Sequence, residues 1–351
     1  MNLCAINLNF WLIYPQAVRF LLKHKEAKMI DQANRVNKNI LSTVLPNPDF
    51  DDGLTIWDDA YSGQYQPVVY AEQFDGQWRL FLERKRGYCN HTGVETSDQY
   101  IDDRIYELTG IQDVMLRRRF GAFAGMASKL SKMAGKQSKR AVGGKLYLEP
   151  KFPLDYFQGK KCLDIGCGAG RWTRTLLMLD AQVKSVDVGE NALRSTRRFN
   201  ADTEYLDIFD IQSRADLHAA FDFVLCWGVI MCTHDPKIAF QQVASTVKPG
   251  GSLYVMVYAP TYHVSEFVRA TRLKFHRECK TAEEKQNFVM NIAEDPDNAI
   301  NYMDMLNTFY NWTIPQEVVT NWFKEAGFKS VVVLNEHEPH NCAWHVLGTK
   351  A

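Results

Sequence analysis

From residue 160 onward, short apolar runs alternate with longer stretches of helical periodicity, and this alternation limits the fold more than any other feature of the chain. Strands that alternate with helices are joined by crossover connections, which build a parallel sheet with helices packed on both faces. The sequence therefore predicts an α/β fold for the second half of the chain. The predicted strands are residues 161–165, 182–186, 221–226 and 252–258, and the predicted helices are residues 171–179, 190–199 and 236–246.

The C-terminal part continues with one more helix and two strands. Residues 313–316, with the sequence Thr-Ile-Pro-Gln, match a capping box with proline in the first turn, which predicts that a helix begins there. Gly327 predicts the end of that helix, because glycine readily adopts the left-handed conformation that terminates helices. The two strands are predicted at residues 329–334 and 343–349.

The segment most informative about function is a glycine-rich loop, in which residues 163–171 read LDIGCGAGR. A strand that ends in glycines just before a helix lies at the carboxyl edge of a parallel sheet, where such folds bind ligands. Asp187 ends the next predicted strand, 21 residues after Gly166. A carboxylate there can accept hydrogen bonds from both hydroxyls of a ribose, so the pattern predicts a ligand that contains a nucleoside.

The glycine spacing distinguishes between two kinds of cofactor. Dinucleotide-binding loops follow the pattern G-x-G-x-x-G, whereas this loop has G-x-G-x-G with an acidic residue, Asp164, two positions ahead. The loop resembles the first motif of the class I S-adenosylmethionine-dependent methyltransferases. Further segments resemble motifs of the same family, and the resemblance extends over residues 155–351. These segments are 185–187 (SVD), 206–208 (LDI), 221–226 (FDFVLC) and 247–251 (VKPGG).

The resemblance implies a Rossmann-like seven-stranded methyltransferase sheet, and S-adenosylmethionine as the cofactor. It also implies a role for each residue that matches a motif. The methionine part of the cofactor would contact Asp164 and the loop residues Gly166, Cys167, Gly168 and Gly170. The ribose would contact Asp187, the adenine would contact Asp207 and Ile208, and Cys226 and Trp227 would line the floor of the site. The implied reaction is transfer of a methyl group to a small-molecule acceptor, at oxygen or nitrogen, by in-line displacement.

The sequence specifies the residues that would contact the methyl acceptor less clearly than those that would contact the cofactor. Many small-molecule members of the family carry adjacent histidines where this chain has Met231-Cys232, so the nearest candidate for a general base is His234. Residues 261–312 form an insertion too long for a plain connection, which predicts a lid over the substrate. Within it, Asp304 and Tyr310 are candidate acceptor contacts. A packing role is the alternative for each of these three side chains.

Residues 1–150 are predicted to form an N-terminal α+β region with an accessory role in substrate binding, and residues 151–351 the methyltransferase domain. Two strands, 67–70 and 78–82, are predicted around an Asp75-Gly76 turn, followed by a short helix over residues 98–110. Residues 116–145 carry nine basic side chains and no acidic one. This segment could pack as a solvated helix, bind RNA phosphates, or lie on an anionic membrane and present a lipid-linked acceptor. A non-catalytic cofactor-binding scaffold subunit is a further alternative.

Composition favours a reducing compartment. The eight cysteines are scattered without a CxxC pair, and the N-terminus has neither a signal-peptide pattern nor a membrane-length apolar run, which predicts a cytoplasmic protein. Met29 is an alternative start to Met1. Four possible ligands near the C-terminus match no zinc-site spacing, so no metal site is predicted. They are His337, His340, Cys342 and His345.

Overall fold

The computed structural model describes residues 55–56, 70–83, 98–111, 152–260, 266–293, 302–303, 305–308, 310–336 and 342–351. The strands are β1 (Thr55–Ile56), β2 (Lys161–Ile165), β3 (Gln182–Asp187), β4 (Asp202–Tyr205), β5 (Phe221–Trp227), β6 (Val247–Tyr258), β7 (Trp312–Thr313), β8 (Phe328–Val333) and β9 (Ala343–Lys350). The α-helices are α1 (Tyr70–Glu83), α2 (Asp98–Thr109), α3 (Arg171–Met178), α4 (Glu190–Arg197), α5 (Pro236–Ser245), α6 (Glu266–Glu278), α7 (Ala282–Ile292) and α8 (Gln316–Glu325). Two 3-10 helices lie at Ile208–Ser213 and Ile230–Cys232.

Seven of these strands form one mixed sheet in the order β4-β3-β2-β5-β6-β9-β8. Strands β2 to β6 pair in parallel, while β9 runs antiparallel to both β6 and β8. The chain builds outward from β2 in one direction and then returns to add β5 on its other side. This reversal leaves a crevice at the carboxyl ends of β2 and β5, which is where open α/β sheets bind ligands. The predicted seven-stranded α/β fold is confirmed.

The sheet is buried on both faces. In β5 the side chains of Phe223, Val224, Leu225 and Cys226 are all fully buried, which explains why this strand is continuously apolar rather than alternating. One face packs against α5 and α8, and the other packs against α2 and α3. The sheet core therefore extends to residues well outside the α/β segment.

Two predictions about local structure are wrong. The predicted turn at Asp75-Gly76 and the predicted strand 78–82 both lie within the single helix α1, which begins at Tyr70, while residues 67–69 of the other predicted strand lie outside the described residues. The aromatic residues Tyr70, Phe74 and Trp78 recur at four-residue spacing, and this helical period prevails over the turn signal of Asp-Gly. Gly76 lies on the open side of α1, where a side chain would meet nothing within 4 Å.

The predicted capping box at Thr313 is also wrong. Thr313 belongs to β7, where it pairs with Thr55 of β1, and α8 begins later, after an N-cap Pro315 that makes no side-chain cap. Because the N-cap position directly precedes Gln316, Thr313 lies two residues too early to serve as the cap. The end of α8 at Gly327, which has a φ of 84°, agrees with the prediction.

Other predictions lie partly or wholly outside the described residues. The basic segment 116–145 is one of them, so the structure gives no information on its RNA-binding, membrane or packing alternatives. Helices α6 and α7 occupy part of the 261–312 insertion, and its function as a lid stays a prediction. In the described part of the chain, no helix has the length and apolar character needed to cross a membrane.

Candidate functional site

The loop after β2 needs glycine for two reasons, conformation and space. Gly166 and Gly168 have φ values of 69° and 54°, in the left-handed region that side chains disfavour. A Cβ at position 166 would lie 2.2 Å from Cγ2 of Val229, and a Cβ at position 168 would lie 2.6 Å from Cζ2 of Trp78. The loop is therefore in close contact with the segment after β5 on one side and with α1 on the other.

Asp187, at the end of β3, connects two loops of the site. Its carboxylate accepts hydrogen bonds from the backbone amides of Gly168, at 2.9 Å, and of Gly189, at 2.8 Å. Burial raises the pKa of Asp187 to about 6, while the backbone hydrogen bonds act in the opposite direction. The carboxylate is thus fixed in position at the edge of a cleft and loses its proton near neutral pH.

Asp164, at the end of β2, is the second buried carboxylate of the site. Its Oδ2 atom accepts a hydrogen bond of 2.7 Å from the hydroxyl of Thr173, which lies 2.8 Å from the Ser185 hydroxyl. Burial raises the pKa of Asp164 to about 7, and the Thr173 hydroxyl and the charge of Arg171 partly oppose this rise. A cationic ligand group placed here would favour the ionised form and bind to it.

These elements surround a cleft at the carboxyl edge of the sheet. Its floor comes from the loops after β2, β3 and β5, and its cover comes from α1 together with Thr308. The lining side chains are mostly apolar or aromatic, with few charges. The lining residues include Phe74, Gln77, Trp78, Asp164, Gly166, Cys167, Gly168, Arg171, Trp172, Asp187, Leu206, Ile208, Trp227, Val229, Cys232, Thr233, Met256, Tyr258 and Thr308.

Most of the cofactor residues expected from sequence come together here. Those that line the cleft are Asp164, Gly166, Cys167, Gly168, Asp187, Ile208 and Trp227. Burial raises the pKa of the Cys167 thiol well above its usual range, so this thiol stays protonated and is a weak nucleophile. Cys167 therefore fits a role as a small filler of the loop.

Three expected cofactor residues are not among the described residues that line the cleft. Gly170 precedes α3 in a left-handed conformation, and a Cβ there would meet the Thr196 hydroxyl at 2.7 Å. Asp207 caps the 3-10 helix that follows it, because its Oδ1 atom accepts a hydrogen bond of 2.9 Å from the amide of Phe209. Cys226 is fully buried within β5.

Two of the three candidates for catalysis and acceptor binding belong to the described residues, and neither of them is among the residues that line the cleft. His234 is exposed, follows the cleft residue Thr233, and stacks on Phe209 with ring centroids 4.2 Å apart. Tyr310 is buried in the sheet core, and its ring centroid is 6.3 Å from that of His234. Asp304 lies outside the described residues.

Sequence reasoning missed the contribution of α1 to this site. Phe74, Gln77 and Trp78 all line the cleft, although they precede β2 by about eighty residues of sequence. The four-residue spacing of Phe74 and Trp78 was the available signal, but it was outweighed by the Asp-Gly pair between them. No local pattern could have shown which part of the sheet α1 covers.

Of the four C-terminal candidates for metal binding, Cys342 and His345 lie within the described residues. The Nδ1 atom of His345 lies 2.7 Å from the hydroxyl of Tyr254, and burial lowers the pKa of this histidine to about 3. His337 and His340 lie outside the described residues. Within the described ranges, no three His, Cys, Asp or Glu side chains form a group that could hold a metal ion.

Comparisons with known proteins point in one direction. A family model described as a methyltransferase domain matches residues 117–333, which is more than half of the chain. The chain is 31% identical over 101 residues to a ubiquinone biosynthesis O-methyltransferase of Xanthomonas campestris pv. campestris, covering 28% of this chain and 42% of that protein. It is 35% identical over 101 residues to the protein of the same name from Idiomarina loihiensis, covering 27% of this chain and 41% of that one.

The matched stretch thus spans about two fifths of the length of these curated relatives. Among solved structures, an S-adenosylmethionine-dependent methyltransferase from Mesorhizobium loti aligns with a TM-score of 0.38 at 16% identity. That alignment covers 55% of this chain and 92% of the other.

Proposed function

Because the chain belongs to the methyltransferase-domain family, we propose that it transfers the methyl group of S-adenosylmethionine to a small-molecule acceptor, at oxygen or nitrogen. The observation that carries this proposal is the position of Asp187. Its buried carboxylate stands at the end of β3, facing a glycine loop at the switch point of a parallel sheet. That is the arrangement expected for a ligand that contains a nucleoside.

S-adenosylmethionine is the cofactor of this family, and the residues of the cleft fit it. We propose that Asp187 binds the ribose hydroxyls and that Leu206 and Ile208 contact the adenine. Asp164 and the loop residues Gly166 and Gly168 would hold the methionine end. The space over this loop is kept open because no side chain fits at positions 166 and 168. The loops and the strand that carry these groups would be stabilised by Gly170, Asp207 and Cys226, which do not line the cleft themselves.

When bound, S-adenosylmethionine supplies an electrophilic methyl carbon. The contribution of the chain is to place an acceptor in line with it and to exclude water. The apolar and aromatic part of the cleft suits this role, because Phe74, Trp227, Met256 and Tyr258 can enclose a flat or apolar body. The relatives named O-methyltransferases favour a hydroxyl as the acceptor group.

For a hydroxyl acceptor, a base must receive its proton. We propose His234 for this role, because it stands one residue beyond the cleft residue Thr233 and is exposed, and we propose Asp304 and Tyr310 as acceptor contacts. With an acceptor in hand, His234→Gln should lower kcat roughly 100-fold or more, while cofactor binding stays unchanged. His218→Gln is the control, since His218 bonds to the Ile211 carbonyl away from the cleft. Equal activity of the two variants would exclude His234 as the base.

Titration calorimetry with S-adenosylhomocysteine tests the cofactor assignment. The chain should bind this product, and Asp187→Ala should weaken binding at least about tenfold, because each bond to the ionised carboxylate contributes roughly 1.5–3 kcal/mol. Asp202→Ala is the matched control, because Asp202 is an exposed acid on the neighbouring strand β4. If the chain did not bind, or if the two variants bound equally well, the assignment would be overturned.

A metabolite extract incubated with the chain and methyl-labelled S-adenosylmethionine would identify the acceptor. Transfer of label to a small molecule is the expected result, and the acceptor atom follows from the structure of that product. Cofactor binding without transfer to any extract component would instead favour a scaffold subunit. If the label appeared in RNA or in lipid, the acceptor would belong to that class instead. We propose a cytoplasmic setting, where thiols such as Cys162 and Cys226 remain reduced.

A further inference from the structure

The cleft contains one charged group for which the sequence predicted no role, a guanidinium at the end of the glycine-rich segment. Arg171 is the first residue of α3, is half-buried, and lines the cleft close to Asp164. Among the described residues that line the cleft, Asp164 and Asp187 are acidic and Arg171 alone is cationic. Opposite charges at one end of a cleft are complementary to a zwitterion, such as the amino-acid end of a ligand.

An aromatic ring holds this guanidinium in place. On the cleft side, its Cζ atom lies 4.1 Å from the centroid of the Trp227 ring, a cation–π distance that holds the planar group against the floor. Glu107 of α2, a buried carboxylate that forms an ion pair with Arg104, is close enough to interact electrostatically with Arg171. Arg171 therefore packs on a ring of the cleft and lies in the field of a buried acid.

We propose that Arg171 binds the α-carboxylate of the methionine end of the cofactor, while Asp164 takes its ammonium group. This inference rests on the proposed function, and it assigns the charge recognition within that site. Arginine suits the role because its planar fork can donate two parallel hydrogen bonds to one carboxylate. The Asp164 carboxylate at the end of β2 and the Arg171 guanidinium at the start of α3 flank the glycine loop. The ammonium and the carboxylate of an amino-acid ligand would thus lie on opposite sides of the loop backbone.

Two ligands that differ in the amino-acid end provide the test. S-adenosylhomocysteine carries the carboxylate and the ammonium, whereas 5′-methylthioadenosine has the same nucleoside with neither charge. Arg171→Gln should weaken S-adenosylhomocysteine binding about tenfold to a hundredfold, the value of a charged hydrogen-bonded pair, and should leave 5′-methylthioadenosine binding within about twofold. Arg171→Lys should give an intermediate loss, because it keeps the charge and loses the fork.

Arg174→Gln is the matched control. It removes a guanidinium from the same helix, but Arg174 lies over the Phe199 ring at 5.6 Å and is not among the described lining residues of the cleft. It should leave the binding of both ligands unchanged. Thermal unfolding of each variant shows whether a loss of binding reflects a loss of structure.

The outcomes separate this inference from the function on which it rests. If the unmodified chain bound neither ligand, the proposed function itself would fail. If it bound S-adenosylhomocysteine and Arg171→Gln bound equally well, only the role of Arg171 would be overturned. Equal losses for both ligands would also overturn it, since they would indicate damage to the nucleoside site. An effect confined to the KM of an anionic acceptor would assign Arg171 to the acceptor instead.

Discussion

At position 168, even one added methyl group would collide with an aromatic ring. Gly168 combines a φ of 54° with the close approach of Trp78, whereas Gly250, in the turn within β6, has a φ of 75° and no atom within 4 Å of a Cβ. Gly250→Ala should therefore cost only the strain of a left-handed alanine, about 1–2 kcal/mol. Gly168→Ala should cost more than that and should also abolish tight cofactor binding, because Trp78 must move. Urea unfolding and titration calorimetry measure the two effects, and equal stabilities of the variants would contradict the steric argument.

The two buried carboxylates predict that cofactor affinity depends on pH. The pKa of Asp164 is about 7 and that of Asp187 is about 6. In the proposed site, both groups would bind the ligand as carboxylates. Lowering the pH from 8 to 5.5 protonates them, so the Kd for S-adenosylhomocysteine should rise at least about tenfold. Asp164→Asn should bind weakly at both pH values and show a smaller dependence. A Kd that did not change over this range would show that neither carboxylate must ionise for binding.

For individual residues, the sequence predicted a place in the site where that place depends on short spacings along the chain. Asp164, the glycines of the loop and Asp187 follow strands at short, regular spacings, so their place at the cleft could be predicted. Arg171 ends the same segment, but the role proposed for it depends on Trp227, which is brought to it only by the fold.

Among the elements, α1 lines the cleft from a distant part of the sequence and is attached to other elements on two sides. On one side, Asp75 attaches it to α4, because the Asp75 carboxylate accepts hydrogen bonds from the Asn191 amide, at 2.7 Å, and from the Asn191 side chain, at 2.8 Å. The N-cap of α4, Gly189, provides no side-chain cap, so Asp75 supplies the missing acceptor from another helix. On the other side, the Asn307 side chain donates to Gln77 at 3.1 Å and accepts from Lys285 of α7 at 2.9 Å.

These attachments predict that α1 controls the release of the cofactor. Asp75→Ala removes the attachment to α4, so S-adenosylhomocysteine should dissociate several-fold faster, and the free energy of unfolding should fall by about 1 kcal/mol, the usual value of an N-cap. Asp75→Asn retains an acceptor oxygen and should restore most of both properties. Stopped-flow fluorescence of Trp78 and its neighbours would follow the release. Unchanged dissociation in the alanine variant would mean that α1 does not gate the cleft.

The errors at the element scale share one cause. Both the Asp75-Gly76 turn and the Thr313 capping box are valid local signals, yet each was overridden by a partner distant in sequence. Helix α1 packs on the glycine loop and α4, and β7 pairs with β1 across more than 250 residues. Most strands and helices between residues 161 and 258 were predicted, because their partners are close in sequence and their apolar periods are strong. Strand β4, with the sequence Asp-Thr-Glu-Tyr, was missed because it has no apolar run.

In the molecule as a whole, the hydrophobic core includes residues that precede the methyltransferase motifs in the sequence. Helix α2 contributes three fully buried aliphatic side chains, Ile101, Ile105 and Leu108, to the same cluster as Trp172 and Phe223 on one face of the sheet. At roughly 1.5–3 kcal/mol for each buried side chain, their removal would cost a large part of the usual stability of a domain. The division of the chain at residue 150 stays a prediction, and this packing provides a way to test it.

A pair of isoleucines gives that test a matched control. Ile105 is fully buried in α2, whereas Ile238 on α5 is 40% exposed. Ile105→Ala should lower the free energy of unfolding by 2–5 kcal/mol, roughly the range for an aliphatic side chain deleted from a core, and Ile238→Ala should lower it by about 1 kcal/mol or less. A fragment of residues 151–351 should then fail to unfold cooperatively, because the sheet face under α2 would be exposed to water. If Ile105→Ala cost no more than Ile238→Ala, or if the fragment were as stable as the full chain, residues 151–351 would be an independent folding unit, and α2 would be an attachment to it rather than part of its core.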